Sequence, residues 1–135
     1  LYQTWSGGSN LIYERGMSAA QAEHNGPQRQ PFIYTVRERI ASQLSKHISQ
    51  DSIAESLGTS VATLKRKCKQ HNTSFQRVLD QVRLERAVSL YCEHGLDSEQ
   101  VAKSLGYFDS ANFRRSFRRW TGCTPKRYLR ALRDN

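Results

Sequence analysis

The sequence predicts an all-α fold of about seven helices, in which two helix-turn-helix units are joined by one long helix. Apolar residues recur three and four positions apart from about residue 32 to residue 132, which is the spacing of a helix face. Small polar residues and glycines interrupt this pattern where helices are expected to start and end. The segment that begins at Ser52 is also repeated, with its turn, in the segment that begins at Gln100.

Residues 1–30 differ from the rest in composition and charge. They are rich in Gly, Ser, Asn and Gln, show no sustained period and carry no net charge, so we predict a linker or the tail of an upstream domain. The first residue is leucine rather than methionine, which suggests a fragment or a processed product. Residues 31–135 are predicted to form a tandem helix-turn-helix domain, with a first unit at about 32–73, a connecting helix at about 74–94 and a second unit at about 95–133.

The first unit opens with a helix predicted over residues 32–48. Ser49 is of the residue type that caps a helix, and Gly58 is predicted to end that second helix in the left-handed conformation. A third helix is expected to start at Ser60. The side chains that the spacing turns inward are those of Ile53, Ala54, Leu57, Val61, Leu64 and Cys68.

The second unit repeats the first at an offset of 48 residues. Asp97 and Gln100 have the spacing of a capping box, and Gly106 is predicted to end the helix that they begin. The turn after this glycine carries one extra residue. The next helix then places Phe113 where the first copy has Leu64.

A single helix is predicted between the two units, from a cap at Thr73 or Ser74 to a stop at Gly95. It would contain about twenty residues and be roughly 30 Å long at 1.5 Å per residue. The final helix is expected to begin with Thr124 as its N-cap and Pro125 as its first helical residue.

Basic residues are concentrated in the C-terminal part of the chain. The formal net charge is +9 and the sequence pI is about 9.9, and residues 109–133 alone hold eight Lys or Arg and one acid. Such an uneven charge favours a polyanion as partner. Because no run approaches the roughly 18 apolar residues of a spanning helix and no segment resembles a signal peptide, we expect a cytoplasmic protein without membrane contact.

Catalytic and metal-binding chemistry finds no support in the residue pattern. The three cysteines and four histidines are scattered without C-x-x-C spacing, which favours neither a disulfide framework nor a metal site. The acidic residues are solitary among cations. We therefore expect no cofactor and no enzymatic activity, with a recombinase or transposase accessory domain as an alternative, because such proteins also use tandem helix-turn-helix units.

The stretch "SANFRRSFRRWTG" at residues 110–122 combines a buried face with a basic one. Phe113 and Phe117 are four residues apart and share a helix face that is predicted to be buried. At about 100° per residue, the four arginines point away from that face. This stretch taken alone fits a solvated basic face as well as a nucleic-acid contact.

The chain resembles the DNA-binding domain of the AraC/XylS family of bacterial transcription regulators over about residues 32–132. The resemblance rests on the upstream half-repeat, on "SFQRVLDQVRLERA", and on Ala102, Leu105, Gly106, Phe113, Phe117, Arg118, Gly122, Thr124, Pro125 and Tyr128. It implies two recognition helices, at about 60–71 and 110–121, that enter successive major grooves of an asymmetric promoter site on double-stranded DNA. Those grooves lie about 34 Å apart, a separation that the connecting helix can nearly match.

The resemblance also implies partners beyond DNA. A regulator must meet RNA polymerase, and members of the family often carry a sensing or dimerising domain on the N-terminal side. The alternative is a basic protein-interaction module that binds an acidic protein. Paired recognition helices about one turn of DNA apart have no evident use in such a module.

Three positions depart from the usual family pattern. Asn72 stands where glycine commonly ends the first recognition helix, and asparagine tolerates the left-handed conformation that is needed there. Cys68 replaces a larger apolar residue and is expected to be an inert core residue, with a redox sensor as the alternative. Leu129 occupies a place where arginine often follows the tyrosine, so Arg130 is the substitute for any contact made there.

Helix geometry and the family's docking mode together give the candidate DNA contacts. The candidates for contacting bases are Ala62, Thr63, Lys65, Arg66, Ser110, Ala111, Asn112, Arg114 and Arg115. The candidates for contacting phosphate are Ser49, Ser60, Lys69, Gln70, Ser98, Arg118, Arg119, Lys126 and Arg127. For each side chain, the alternative is a solvated residue without a partner.

Overall fold

The computed structural model describes residues 31–134 and shows seven helices in that range, without strands. The predicted all-α fold of two helix-turn-helix units and a joining helix is confirmed; the predicted linker at residues 1–30 lies outside the described residues. The helices are α1 Phe32–Ala41, α2 Gln50–Ser56, α3 Val61–Gln70, α4 Phe75–Cys92, α5 Ser98–Ser104, α6 Ser110–Thr121 and α7 Pro125–Arg133.

The helix starts and turns predicted for the two units are formed by the expected capping residues and glycines. Ser49 caps α2 in a capping box with Ser52, and Asp97 caps α5 in a capping box with Gln100. The glycine that follows each of these helices, Gly58 or Gly106, has a positive φ.

The first helix is shorter than its apolar spacing predicts. Helix α1 ends at Ala41 rather than at residue 48, and the chain turns after it. The hydroxyl of Ser42 donates to the carbonyl of Arg39 at 2.8 Å, a local hydrogen bond with which serine competes against helix continuation. Leu44 and Ile48 are nevertheless buried, because the turned segment packs against the core.

Helix α4 packs against both units. It contacts α1 and α3 of the first unit and α5 and α6 of the second. Its 18 residues make it about 27 Å long at 1.5 Å per residue, slightly shorter than predicted. Its buried residues, among them Phe75, Leu84 and Val88, lie on more than one side of the helix, since α4 has neighbours in both units. An ion pair from Arg37 to Glu85 ties α1 to α4.

The two units also touch directly at Gly106. A Cβ atom built on this glycine would lie 2.9 Å from the carbonyl oxygen of Leu44 and 3.3 Å from that of Ser45. The turn of the second unit therefore approaches the backbone that follows α1 more closely than any side chain permits. Gly106 also has φ +83°, in the left-handed region that favours glycine.

We expect Gly106→Ala to lower the free energy of unfolding by about 2–4 kcal/mol, because left-handed strain is added to displacement of the backbone at Leu44. Gly58→Ala is the matched control. Gly58 has φ +69°, but a Cβ atom added to it would meet no atom within 4 Å, so only about 1–2 kcal/mol of conformational strain applies. Urea unfolding of both variants measures the difference, and equal losses would contradict a tight contact between the units.

Candidate nucleic-acid interface

Helix α3 has one buried face and one cationic face. Ser60 caps it by accepting a hydrogen bond from the backbone N–H of Thr63 at 3.1 Å. Leu64 and Cys68 are fully buried. Thr63 is half-buried, and the candidates that are exposed, as the helical spacing predicts, are Ala62, Lys65, Arg66, Lys69 and Gln70. The helix holds cations and no acid, so its outer face suits a polyanion.

The two departures at the end of α3 preserve the fold. Asn72 has φ 58°, so the asparagine takes the left-handed conformation predicted for it. Burial raises the pKa of the Cys68 thiol, which disfavours the thiolate that a redox sensor requires. Cys68 is therefore a buried core residue, as expected.

Helix α6 is anchored by an aromatic cluster. Phe113 and Phe117 are fully buried, with ring centroids 5.8 Å apart in an edge-to-face arrangement. Trp120 lies 6.0 Å from the Phe117 ring and Tyr128 of α7 lies 5.4 Å from it. These rings hold α6 by one face, and the outer face exposes Ala111, Arg114, Arg115, Arg118 and Arg119.

The start of α6 brings two of the base-contact candidates together. Asp109 caps the helix by accepting from the backbone N–H of Asn112 at 2.8 Å. The guanidinium of Arg115 donates to the side-chain oxygen of Asn112. Because a guanidinium has five N–H donors, Arg115 keeps donors for a base edge while Asn112 orients it. Ser110 and Asn112 are half-buried.

Arg119 differs from its neighbour Arg118. The Arg119 guanidinium lies 3.4 Å from a carboxylate oxygen of Asp80 on α4, with the Arg119 side chain 56% exposed. Arg118 is exposed and has no ion-pair partner in the part of the chain that the structure describes. Of the two phosphate candidates, Arg118 carries the less compensated charge.

The serine candidates at helix starts are partly occupied by capping. The Ser49 hydroxyl accepts from the backbone N–H of Ser52 at 3.0 Å. Ser98 is the first residue of α5 rather than its cap, and its hydroxyl is 2.6 Å from that of Tyr91. Each hydroxyl thus has a protein partner.

The start of α7 matches its prediction. Thr124 caps the helix and Pro125 is its first residue. Lys126 and Arg127 are exposed in the first turn, where unsatisfied backbone N–H groups favour an anion. Leu129, at the departing position, is half-buried, whereas Arg130 is exposed.

Two residues that the sequence did not single out support the interface from behind. Tyr107 packs edge-on against Phe113 at 5.7 Å, and the guanidinium of Arg83 on α4 lies 5.4 Å from the Tyr107 ring centroid. Burial raises the pKa of Tyr107. Their separation in sequence hides this contact from any local pattern.

Groups of acidic, histidine and cysteine side chains that would hold a metal ion are absent from residues 31–134. None of the helices in this range is both long enough and apolar enough to cross a membrane.

Comparison with known proteins identifies the family. A family model described as a helix-turn-helix domain matches residues 53–131, more than half of the chain. The chain belongs to the AraC/XylS family of DNA-binding transcription regulators. This confirms the resemblance inferred from the sequence, and the AraC/XylS family consists of regulators rather than enzymes.

The match to curated relatives covers only part of each relative's length. The ornithine utilization regulator of Pseudomonas aeruginosa is 40% identical over 100 residues, which cover 74% of this chain and 30% of that protein. The HTH-type transcriptional regulator GadX of Escherichia coli K12 is 32% identical over 97 residues, which cover 69% of this chain and 35% of GadX. The chain thus spans about a third of the length of these AraC/XylS relatives.

Solved structures share the fold. A DNA-binding transcriptional dual regulator from Escherichia coli K-12 superposes with a TM-score of 0.69 at 27% identity, over 82% of this chain and 99% of that one. The C-terminal domain of AraT, a response regulator from Geobacillus stearothermophilus, gives a TM-score of 0.66 at 28% identity, over 78% and 88% of the two chains.

We expect Arg118→Ala to weaken DNA binding by about 1 kcal/mol or more, as the loss of a charge-assisted phosphate contact. Arg119→Ala, its matched control, removes the same charge from the next residue but should cost less, because Asp80 already compensates Arg119. Titration of a fluorescent duplex at fixed salt measures both. A larger loss for Arg119→Ala would show that the ion pair opens on DNA.

Proposed function

We propose that this chain is the sequence-specific DNA-binding part of a transcription regulator that inserts α3 and α6 into successive major grooves of an asymmetric promoter site. The candidates for contacting bases are those of the two outer helix faces, and the remaining basic candidates contact phosphate. DNA binding itself is the property of the family.

The observation that carries this proposal is the pairing of two basic helices on one support. Each of α3 and α6 has a buried apolar face and a cationic outer face free of acids. Both contact α4, whose length of about 27 Å is of the order of the 34 Å between successive major grooves. A protein-interaction module does not require that spacing.

The rest of the regulator is proposed from the length of the relatives. Because the chain spans about a third of them, we infer a sensing or dimerising domain on the N-terminal side, with residues 1–30 as its linker or tail. RNA polymerase is the proposed protein partner. The cytoplasm is the compartment in which promoter DNA and polymerase are both available.

We expect selection from a random duplex pool at near-physiological salt to enrich an asymmetric site with two informative patches about one helical turn apart. Inserting about five base pairs between the patches should abolish the preference, because it rotates one patch by about half a turn away from its helix. An unenriched pool would contradict sequence-specific binding by this chain and favour a basic interaction module.

We expect Arg115→Ala to cost about 1–3 kcal/mol on the preferred duplex and to relax selectivity at the bases beside α6. Arg86→Ala is the control, since Arg86 is an exposed cation of α4 and its loss changes net charge equally. Affinities for the preferred and a scrambled duplex distinguish the roles. An equal loss on both duplexes would make Arg115 a phosphate contact.

A further inference from the structure

Among residues 31–134, Phe108 is the large hydrophobic residue that is exposed to solvent, with 93% of its surface accessible. It lies in the turn between α5 and α6, directly before the N-cap residue Asp109. Full burial of a phenylalanine side chain is worth roughly 1.5–3 kcal/mol, and the fold gains almost none of this at Phe108.

The half-repeat identifies Phe108 as the extra residue of the second unit. The backbone N–H of Thr59 donates to the carbonyl of Ala54 at 3.0 Å, and the backbone N–H of Tyr107 donates to the carbonyl of Ala102 at 2.9 Å. Thr59 and Tyr107 therefore occupy equivalent positions in the two units. The cap of α3 follows Thr59 at once, whereas Phe108 stands between Tyr107 and the cap of α6.

The usual structural role for an apolar residue at this position is already filled. A hydrophobic residue before the N-cap commonly packs against the fourth residue of the helix, here Phe113. Tyr107 instead packs against Phe113, at 5.7 Å between ring centroids. Phe108, 93% exposed, therefore buries little of its ring against residues 31–134.

The surroundings of Phe108 indicate what it meets. On one side it borders a surface hollow with Asn112, Arg115 and Arg119, which include two candidates for contacting bases. On its other side Phe108 borders a second hollow, whose charged lining residues are Asp97, Glu99, Lys103 and Asp109. Three of these four are acidic, so this second hollow disfavours a polyanion. The two arginines of the first hollow favour an anionic occupant, and the exposed ring favours one that also offers an apolar group.

We propose that Phe108 determines specificity by contacting the 5-methyl group of a thymine in the major groove, beside the bases that Asn112 and Arg115 contact. Thymine is the DNA base that presents a methyl group there, and phenylalanine is among the side chains that contact it. The inference rests on the proposed function, because it requires α6 to enter the groove.

The test removes the methyl group and nothing else. In the duplex selected by the full 135-residue chain, each thymine of the patch bound by α6 is replaced in turn by deoxyuridine. At one position the affinity of the unmodified protein should fall roughly threefold to fivefold, the value of one buried methyl group. Phe108→Ala should bind the thymine duplex with that lower affinity and lose the distinction between the two bases.

Two controls separate this outcome from others. Deoxyuridine in the patch bound by α3 should affect Phe108→Ala and the unmodified chain equally, and Phe108→Leu should retain part of the discrimination. If Phe108→Ala keeps the thymine preference, or binds like the unmodified chain, the inference is overturned and the ring is free for a protein partner. Failure of the unmodified chain to select any duplex would overturn the proposed function itself.

Discussion

Helix α4 is in contact with α1 and α3 of the first unit and with α5 and α6 of the second, and the placement of both basic helices depends on this packing. Its buried residues belong to one continuous core, so the two recognition helices are held by the same apolar cluster. Gly106 adds a second connection, because its lack of a side chain allows the backbone of Leu44 to approach. A support of this kind fixes the separation of α3 and α6 before DNA is met, so less ordering entropy is lost on binding.

Two sets of cations within residues 31–134 have different surroundings. Arg37 of α1 forms an ion pair with Glu85 of α4, and Arg83 of α4 lies over the ring of Tyr107. Those on the outer faces of α3 and α6 have few protein partners. The first set helps to position the helices, and the second leaves positive charge exposed on the outer faces of α3 and α6.

Features that depend on interactions between residues close in sequence were predictable, whereas features that depend on contacts between distant residues were not. The caps at Ser49, Asp97 and Thr124 depend on residues within one turn, so the sequence predicts them correctly. The predicted end of α1 was wrong because tertiary packing keeps its later apolar residues buried without a helix. The exposed positions of α3 and α6 followed from helical periodicity, whereas the pairing of Arg119 with Asp80, 39 residues away, has no local signal.

The differences between the two units bear on how the chain would orient on DNA. At equivalent positions α3 has Thr63, Lys65 and Lys69 where α6 has Asn112, Arg114 and Arg118. Phe108 also adds an exposed ring to the turn of the second unit. On the proposed function, two unlike helices fixed on one support would contact unlike base patches, so a single chain would specify both a site and a direction along the duplex. A symmetric dimer of identical helices specifies no direction by itself, since its half-sites are equivalent. Because transcription proceeds in one direction from a promoter, this asymmetry would allow the two units together to set an orientation, which added affinity alone would not do.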